Sequence, residues 1–316
     1  MPDTTVRGVH INAVLTNLSI GYHPSGMIAE RVLPVVPVKK ESDFYYVWNR
    51  GDAFRIPETR RPDGDRANAV DFGFTRDAYL CEEYALETRI TDRQRDNADS
   101  VLSLELAKTR RTQDLIMLAM EKRCATLLTS TSSYASTNYI VLSGTNQWNN
   151  ASFSGSIEQV FDGAKEAIRL QTGGVAQAAL AIIPRPVAQV IKRDAKVRDI
   201  LKYTHSDLLV DGELPPRIWN LEVVIPTAVE SVDREVYGVD TANLVDIWGK
   251  HVVVLHRPSA PAIDTLAFAY IFRARDWTVE QWRDEATSTT WYRVSVVQTE
   301  KVVSPFAGYL IQNAIA

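Results

Sequence analysis

Asp43-Phe44-Tyr45-Tyr46-Val47-Trp48 and the run from Val70 through Phe72, Phe74 and Tyr79 to Leu86 are rich in aromatic and β-branched residues, which favour strands. Between them, Arg50 to Ala69 is dense in Arg, Asp and Glu and is punctuated by Gly51, Pro57, Pro62 and Gly64. The pattern predicts a two-stranded ribbon with a connection of about twenty residues, where hairpin loops ordinarily have roughly two to five. A lone ribbon is marginal in water and needs an outside surface to lie on. The mixed charges of Arg50, Arg55, Glu58, Arg60, Arg61, Asp63, Asp65 and Arg66 suit polar contacts with another chain. The plainer alternative is a solvated surface loop.

On the N-terminal side, residues 1–40 show no sustained period. They contain Val32-Leu33-Pro34-Val35-Val36-Pro37-Val38. Proline cannot donate to a sheet ladder, so this apolar stretch reads as an extended arm or edge segment. It must be covered, either by the parent domain or by a neighbouring subunit.

On the C-terminal side the period changes to that of a long helix. Asp92 or Asn97 can cap its start, acidic Asp96 and Asp99 suit its positive end, and no Pro or Gly occurs from Asp92 to Ser143. Helix from Asp99 to Thr129 would measure roughly 45 Å at about 1.5 Å per residue. It lacks a heptad seam and therefore reads as a spine on which a sheet packs. The polar stretch around Asn146 to Ser156 separates it from an α/β region. In that region Ile157, Val160, Phe161, Ala164 and Ile168 predict a helix that Gly173-Gly174 stops. Ala178 to Pro184 reads as a buried strand, Pro186 to Leu201 as a helix, and Leu221 to Pro226 and His251 to Leu255 as strands. A loop from Thr204 to Pro216, with His205, Asp207, Asp211 and Glu213, could project from this unit. The tail returns to strands at Leu266 to Arg275 and Thr289 to Thr299, with a polar turn at Trp282 to Glu285 and a last apolar segment, Ala307 to Ile315.

Composition sets the outer limits. The 316 residues are 45% hydrophobic, enough for one large or two ordinary cores, and the net charge of -4 gives no general attraction to nucleic acid or anionic lipid. The N-terminus lacks the layout of a secretory signal, and no apolar run approaches a membrane span. Cys81 and Cys124 suit buried free thiols. No phosphate-binding Gly-rich loop, dinucleotide fingerprint or nucleophile elbow is present. His251 and His256 bracket a strand and face opposite ways, so they cannot share a metal. No catalytic constellation, cofactor site or metal site emerges.

The order of features does carry a signal. Arm, charged hairpin, spine helix, α/β insert with projecting loop and closing strands together resemble the major capsid proteins of tailed bacteriophages over essentially the whole chain. The resemblance is strongest at Leu33-Pro34-Val35-Val36-Pro37-Val38, at Phe54 to Gly64, at Ala195-Lys196-Val197-Arg198-Asp199-Ile200-Leu201-Lys202-Tyr203, and from Lys301 to Ile311. It implies an α+β fold with an N-terminal arm (1–40), an extended hairpin loop (41–90), a spine helix with the first part of a peripheral domain (91–156), an axial domain (157–263) and the rest of the peripheral domain (264–316). Self-assembly into hexamers and pentamers of a shell around double-stranded DNA would follow. The loop charges, together with His205, Asp207, Asp211 and Glu213 near the symmetry axes, would make the inter-subunit contacts. A portal protein and a separate scaffolding or decoration protein are the other implied partners. DNA contact would be weak and nonspecific, and assembly would take place in the bacterial cytoplasm.

Two departures from the family pattern matter. Some relatives weld the shell through a loop lysine, but no lysine lies between Glu41 and Ala107, so cohesion should be noncovalent. Some carry a long helical scaffolding segment at the N-terminus, for which forty residues of arm leave little room. An encapsulin-like compartment shell, on the same fold, is the nearest alternative. An α/β enzyme and a tail or decoration component are more distant ones.

Overall fold

The computed structural model describes residues 10–12, 15–16, 26–48, 54–61, 63–64, 66–71, 74–98, 101–204, 214–232, 243–258 and 266–316. A two-residue strand, β1 (His10–Ile11), comes first. The apolar arm then divides at Leu33. Ala29–Val32 makes one helical turn, α1, and Val35–Pro37 makes a short strand, β2, at a sheet edge. Pro34 serves there as an acceptor, taking a hydrogen bond from Ile271 N at 3.1 Å, while Val38 N donates to Arg273 O at 2.9 Å. Val32 and Leu33 are buried in this chain's own core, so this part of the arm lies on its parent.

The ribbon pairs β3 (Ser42–Trp48) with β4 (Phe74–Leu80) antiparallel, from Ser42 opposite Leu80 to Trp48 opposite Phe74. The second strand stops short of Leu86. At Cys81 the backbone N–H donates to Glu41 O (2.7 Å) and the thiol to Phe272 O (3.4 Å), and the chain leaves the ribbon as β5 (Glu82–Thr91). Thr91 opens a separate short helix, α2 (Asp92–Asp96), through a capping box with Gln94. Asp92 is thus the first helical residue of α2, and Asn97 closes that helix instead of starting the spine.

The spine, α3 (Val101–Thr129), has 29 residues. The expected start at Asp99 lies outside the described residues. Its buried face runs Ile116, Met117, Met120, Cys124, Ala125, Leu128, at spacings of one, three and four, while Leu115 and Ala119 face outward. Next come β6 (Tyr139–Val141), α4 (Ile157–Gln171) and β7 (Leu180–Ile182). The helix expected from Pro186 to Leu201 is two, α5 (Arg185–Arg193) and α6 (Ala195–Thr204). Asp194 divides them: its extended backbone breaks the first helix, and its Oδ1 caps the second by accepting from Lys196 N (2.9 Å) and Val197 N (3.3 Å). The chain closes with β8 (Arg217–Ile218), β9 (Leu221–Val224), β10 (Val229–Ser231), β11 (Leu244–Asp246), β12 (Val252–Leu255), β13 (Ala269–Asp284), β14 (Thr289–Val302) and β15 (Gly308–Gln312).

Two sheets organise the core. In the first, β13 is flanked by β14 and β5 on one side and by β1 and β2 on the other. The second has the order β6-β15-β12-β7-β9-β8. The spine bridges them. Ile116 and Met117 pack with Ile90, Val279, Tyr292 and Val294 of the first sheet, and Met120, Cys124 and Leu128 pack with Leu180, Val253 and Leu310 of the second. Helices α4 and α5 cover the other face of the second sheet through Phe161, Ile168, Val187 and Ile191.

Three further expectations change. Residues 146–156 are not a separator, because Trp148 is buried and its backbone N–H donates to Ala314 O at 2.8 Å. β15, from the expected peripheral segment 264–316, and β6, from 91–156, both sit in the α/β sheet, so the sheets do not follow the breaks at 156 and 263. Trp282, Arg283 and Asp284 end β13 instead of forming the turn. The reversal at 285–288 is held by Asp284, whose carboxylate accepts from Ala286 N (3.0 Å) and the Thr287 hydroxyl (2.7 Å). Cys81 and Cys124 are buried free thiols.

Candidate assembly surface

The ribbon stands on an aromatic base. Tyr79 stacks on Phe272 of β13 at 4.7 Å between ring centres, and Tyr45 lies 5.7 Å from the same ring. The Tyr45 hydroxyl donates to Asp77 Oδ2 (2.7 Å), and Lys301 of β14 reaches across to Asp77 (2.8 Å) and to the Ala78 carbonyl. The Lys301 and Tyr45 hydrogen bonds hold the Asp77 carboxyl below its ordinary value, while burial pushes the Tyr45 hydroxyl up. The base is therefore fixed by both apolar and ionic contacts.

The outer face of the same strands carries Phe44 and Leu80, which are 66% and 63% exposed. Side chains alternate along a strand, so seating Tyr45 and Tyr79 inward turns these two outward. Beyond the ribbon every described residue from 54 to 71 is exposed, including Arg55, Glu58, Arg60, Arg61, Asp63 and Arg66. Glu58 organises this segment: its carboxylate accepts from Arg60 N (2.8 Å) and its carbonyl from Asn68 Nδ2 (2.9 Å). Of the other residues singled out by charge, Arg50, Asp65, His205, Asp207, Asp211 and Glu213 lie outside the described residues.

The structure adds apolar groups that a charge-based reading passes over. Ile56 is 94% exposed, and Val70 is also exposed. The alternation of Phe44 with Tyr45 was the available signal, since a large apolar residue on both faces of a ribbon leaves one face without a core.

A second, half-buried feature lies on the first sheet, on the face away from the spine. Trp282 and Trp291 stack with an interplanar angle of 5°, with Arg293 over Trp282 and Arg89 over Trp291. Arg293 also pairs with Glu87 (2.8 Å) and Glu280 (3.2 Å). Aromatic and Arg side chains of this kind are enriched in protein–protein contacts.

Among the described residues, no group of three His, Cys, Asp or Glu side chains is placed to hold a metal, and no helix is long and apolar enough to cross a membrane. His251 has a structural role, with Nδ1 accepting from Asn313 N at 3.1 Å, and burial lowers its basicity.

Solved structures share this arrangement over nearly the whole chain. A phage-related protein from Bordetella bronchiseptica RB50 matches with a TM-score of 0.74 at 21% identity, over 96% of this chain and 97% of that one. The capsid structure of cyanophage P-SCSP1u matches with a TM-score of 0.65 at 11% identity, over 92% and 90% of the two chains. The fold is that of phage capsid subunits, a class of structural proteins. Sequence narrows this further. The major capsid protein of Burkholderia phage BcepMu is 30% identical over 251 residues, covering 78% of this chain and 76% of that protein. The major capsid protein of Pseudomonas phage JBD67 is 27% identical over 326 residues, covering 97% of both. No family model matches the sequence. The chain belongs to the phage major capsid proteins, a structural and not an enzymatic family. Both relatives are phage proteins, so the encapsulin-like alternative is not favoured.

Proposed function

We propose that this chain assembles with copies of itself, as hexamers and pentamers, into the closed shell of a phage head around double-stranded DNA. One observation carries the reading: a ribbon anchored firmly at its base extends into a segment, 54–71, whose described residues are all exposed and whose Ile56 is almost wholly in water. Such an exposed segment buries surface when a neighbouring subunit lies beneath it, and repetition of one heterologous contact closes a ring. The contact combines Phe44, Ile56, Val70 and Leu80 with the charges of Arg55, Glu58, Arg60, Arg61, Asp63 and Arg66. Arg50 and Asp65 belong to the same loop. His205, Asp207, Asp211 and Glu213 would meet near the symmetry axes.

Cohesion is noncovalent in this reading, because no lysine lies between residues 41 and 107. The near balance of 35 basic and 39 acidic residues suits weak, nonspecific contact with packaged DNA. A portal protein and a separate scaffolding or decoration protein are the further partners, the host cytoplasm is the place of assembly, and the virion is the destination. Sedimentation and negative-stain microscopy of the purified full-length chain test the reading. Hexamers, pentamers or shells are expected, and a monodisperse monomer at high concentration would contradict it.

A further inference from the structure

Gly173 and Gly174 follow α4 with φ of +62° and +81°, a region that side-chain-bearing residues avoid. The two share that backbone requirement but differ in surroundings. A Cβ on Gly174 would meet nothing within 4 Å, whereas one on Gly173 would lie 2.2 Å from Cε1 and Cζ of Phe54. The Phe54 ring therefore rests directly on the Gly173 backbone. Phe54 stands at the near end of the described part of the long connection, and Gly173 ends a helix of the α/β unit. The contact joins two parts of the molecule that β3 and β4 do not bring together.

We propose that Phe54 on Gly173 is an intramolecular latch that fixes the root of the loop to the α/β unit in the unassembled subunit. The loop beyond Phe54 is then tethered to the α/β unit at that residue, which sets its starting direction. Phe54 remains 46% exposed, so the latch is shallow. It opens readily when a neighbouring subunit offers the ring and Ile56 a larger apolar surface. Glycine is needed at 173 for two separate reasons, backbone and seat, but at 174 for one only. The consequence for assembly rests on the self-assembly reading above, whereas the latch is a property of the single subunit.

Limited trypsin digestion of the full-length, unassembled protein, read by mass spectrometry, tests the latch. Cleavage after Arg55 requires Phe54 to lift, whereas cleavage after Arg66, farther along the exposed loop, serves as an internal reference. Phe54→Ala and Gly173→Ala should each raise the ratio of Arg55 to Arg66 cleavage by roughly five-fold, as release of a shallow local contact would. Gly174→Ala should leave the ratio at the wild-type value, although its backbone cost is similar. A wild-type ratio in Phe54→Ala would overturn the latch, as would equal ratios in the two glycine variants. If Gly173→Ala does not fold, Phe54→Ala decides alone. Shell formation by the wild-type chain is scored separately by microscopy, so failure of the latch and failure of the assembly reading remain distinct.

Discussion

Arg123 of the spine and Glu300 of β14 form a two-point pair, with Nε to Oε2 at 3.1 Å and Nη2 to Oε1 at 3.0 Å, and the guanidinium lies 3.6 Å from the centre of the Tyr84 ring. The Glu300 side chain is only 6% exposed. The pair ties the helix to two strands of the first sheet at once. Arg123→Ala would leave a buried carboxylate short of its cation and should cost about 2–4 kcal/mol in urea unfolding. A cost under about 0.5 kcal/mol, typical of a surface pair, would show that the contact is incidental.

Glu121 joins three elements. Its carboxylate is buried and accepts from Ile28 N (3.0 Å), Ala29 N (2.8 Å) and Trp248 Nε1 (2.6 Å). Glu121→Gln puts a donor where an acceptor is needed and should cost about 1–3 kcal/mol.

The same residue gives a pH dependence. Burial raises the Glu121 carboxyl above its ordinary value of 4.5, against the pull of its hydrogen bonds. The folded chain therefore holds this proton over a range where the unfolded chain has lost it. The group's contribution is fully present below the unfolded value and is lost as pH rises through the folded one. The stability advantage of wild type over Glu121→Gln should shrink between pH 4.5 and neutrality. An advantage that grows with pH over that span would reverse the assignment.

Gly308 opens the last strand against Phe268. A Cβ there would lie 2.5 Å from the Phe268 ring, which is fully buried and stacked on Tyr134 at 4.9 Å. Gly308→Ala should destabilise by about 1–3 kcal/mol through overpacking, as read by thermal unfolding. An unchanged midpoint would mean that the ring can yield.

Arg60 and Arg61 are exposed in the loop, where salt screens charge. Reversing both to Glu should weaken assembly more at low than at high ionic strength, as measured by light scattering. An unchanged salt profile would assign the loop contact to Ile56 and Val70 instead.

The elements that could be read from sequence are those whose signal is local. The helix over 101–129 follows from the absence of Pro and Gly, and the stop after α4 from Gly173-Gly174. The reach of β13 to Asp284 was hidden because its register shifts between Arg273 and Thr278, which changes the phase of in–out alternation just where charged residues cluster. The division of the ribbon at Cys81 depends on Glu41 and Phe272, neither of which sequence places beside it. Glu121 looks like a solvated helix residue until Trp248 and the arm are folded around it. On the candidate surface, charge drew attention to Arg60 and Arg61, and the exposed apolar groups emerged only once the inner face of the ribbon was filled.

The most direct test removes the exposed loop segment. Chains lacking residues 54–71 should keep the helical and sheet content of the folded core by circular dichroism yet form no closed particles under conditions where the full chain does, as scored by electron microscopy. Closed shells of normal size from the deleted chain would contradict the account.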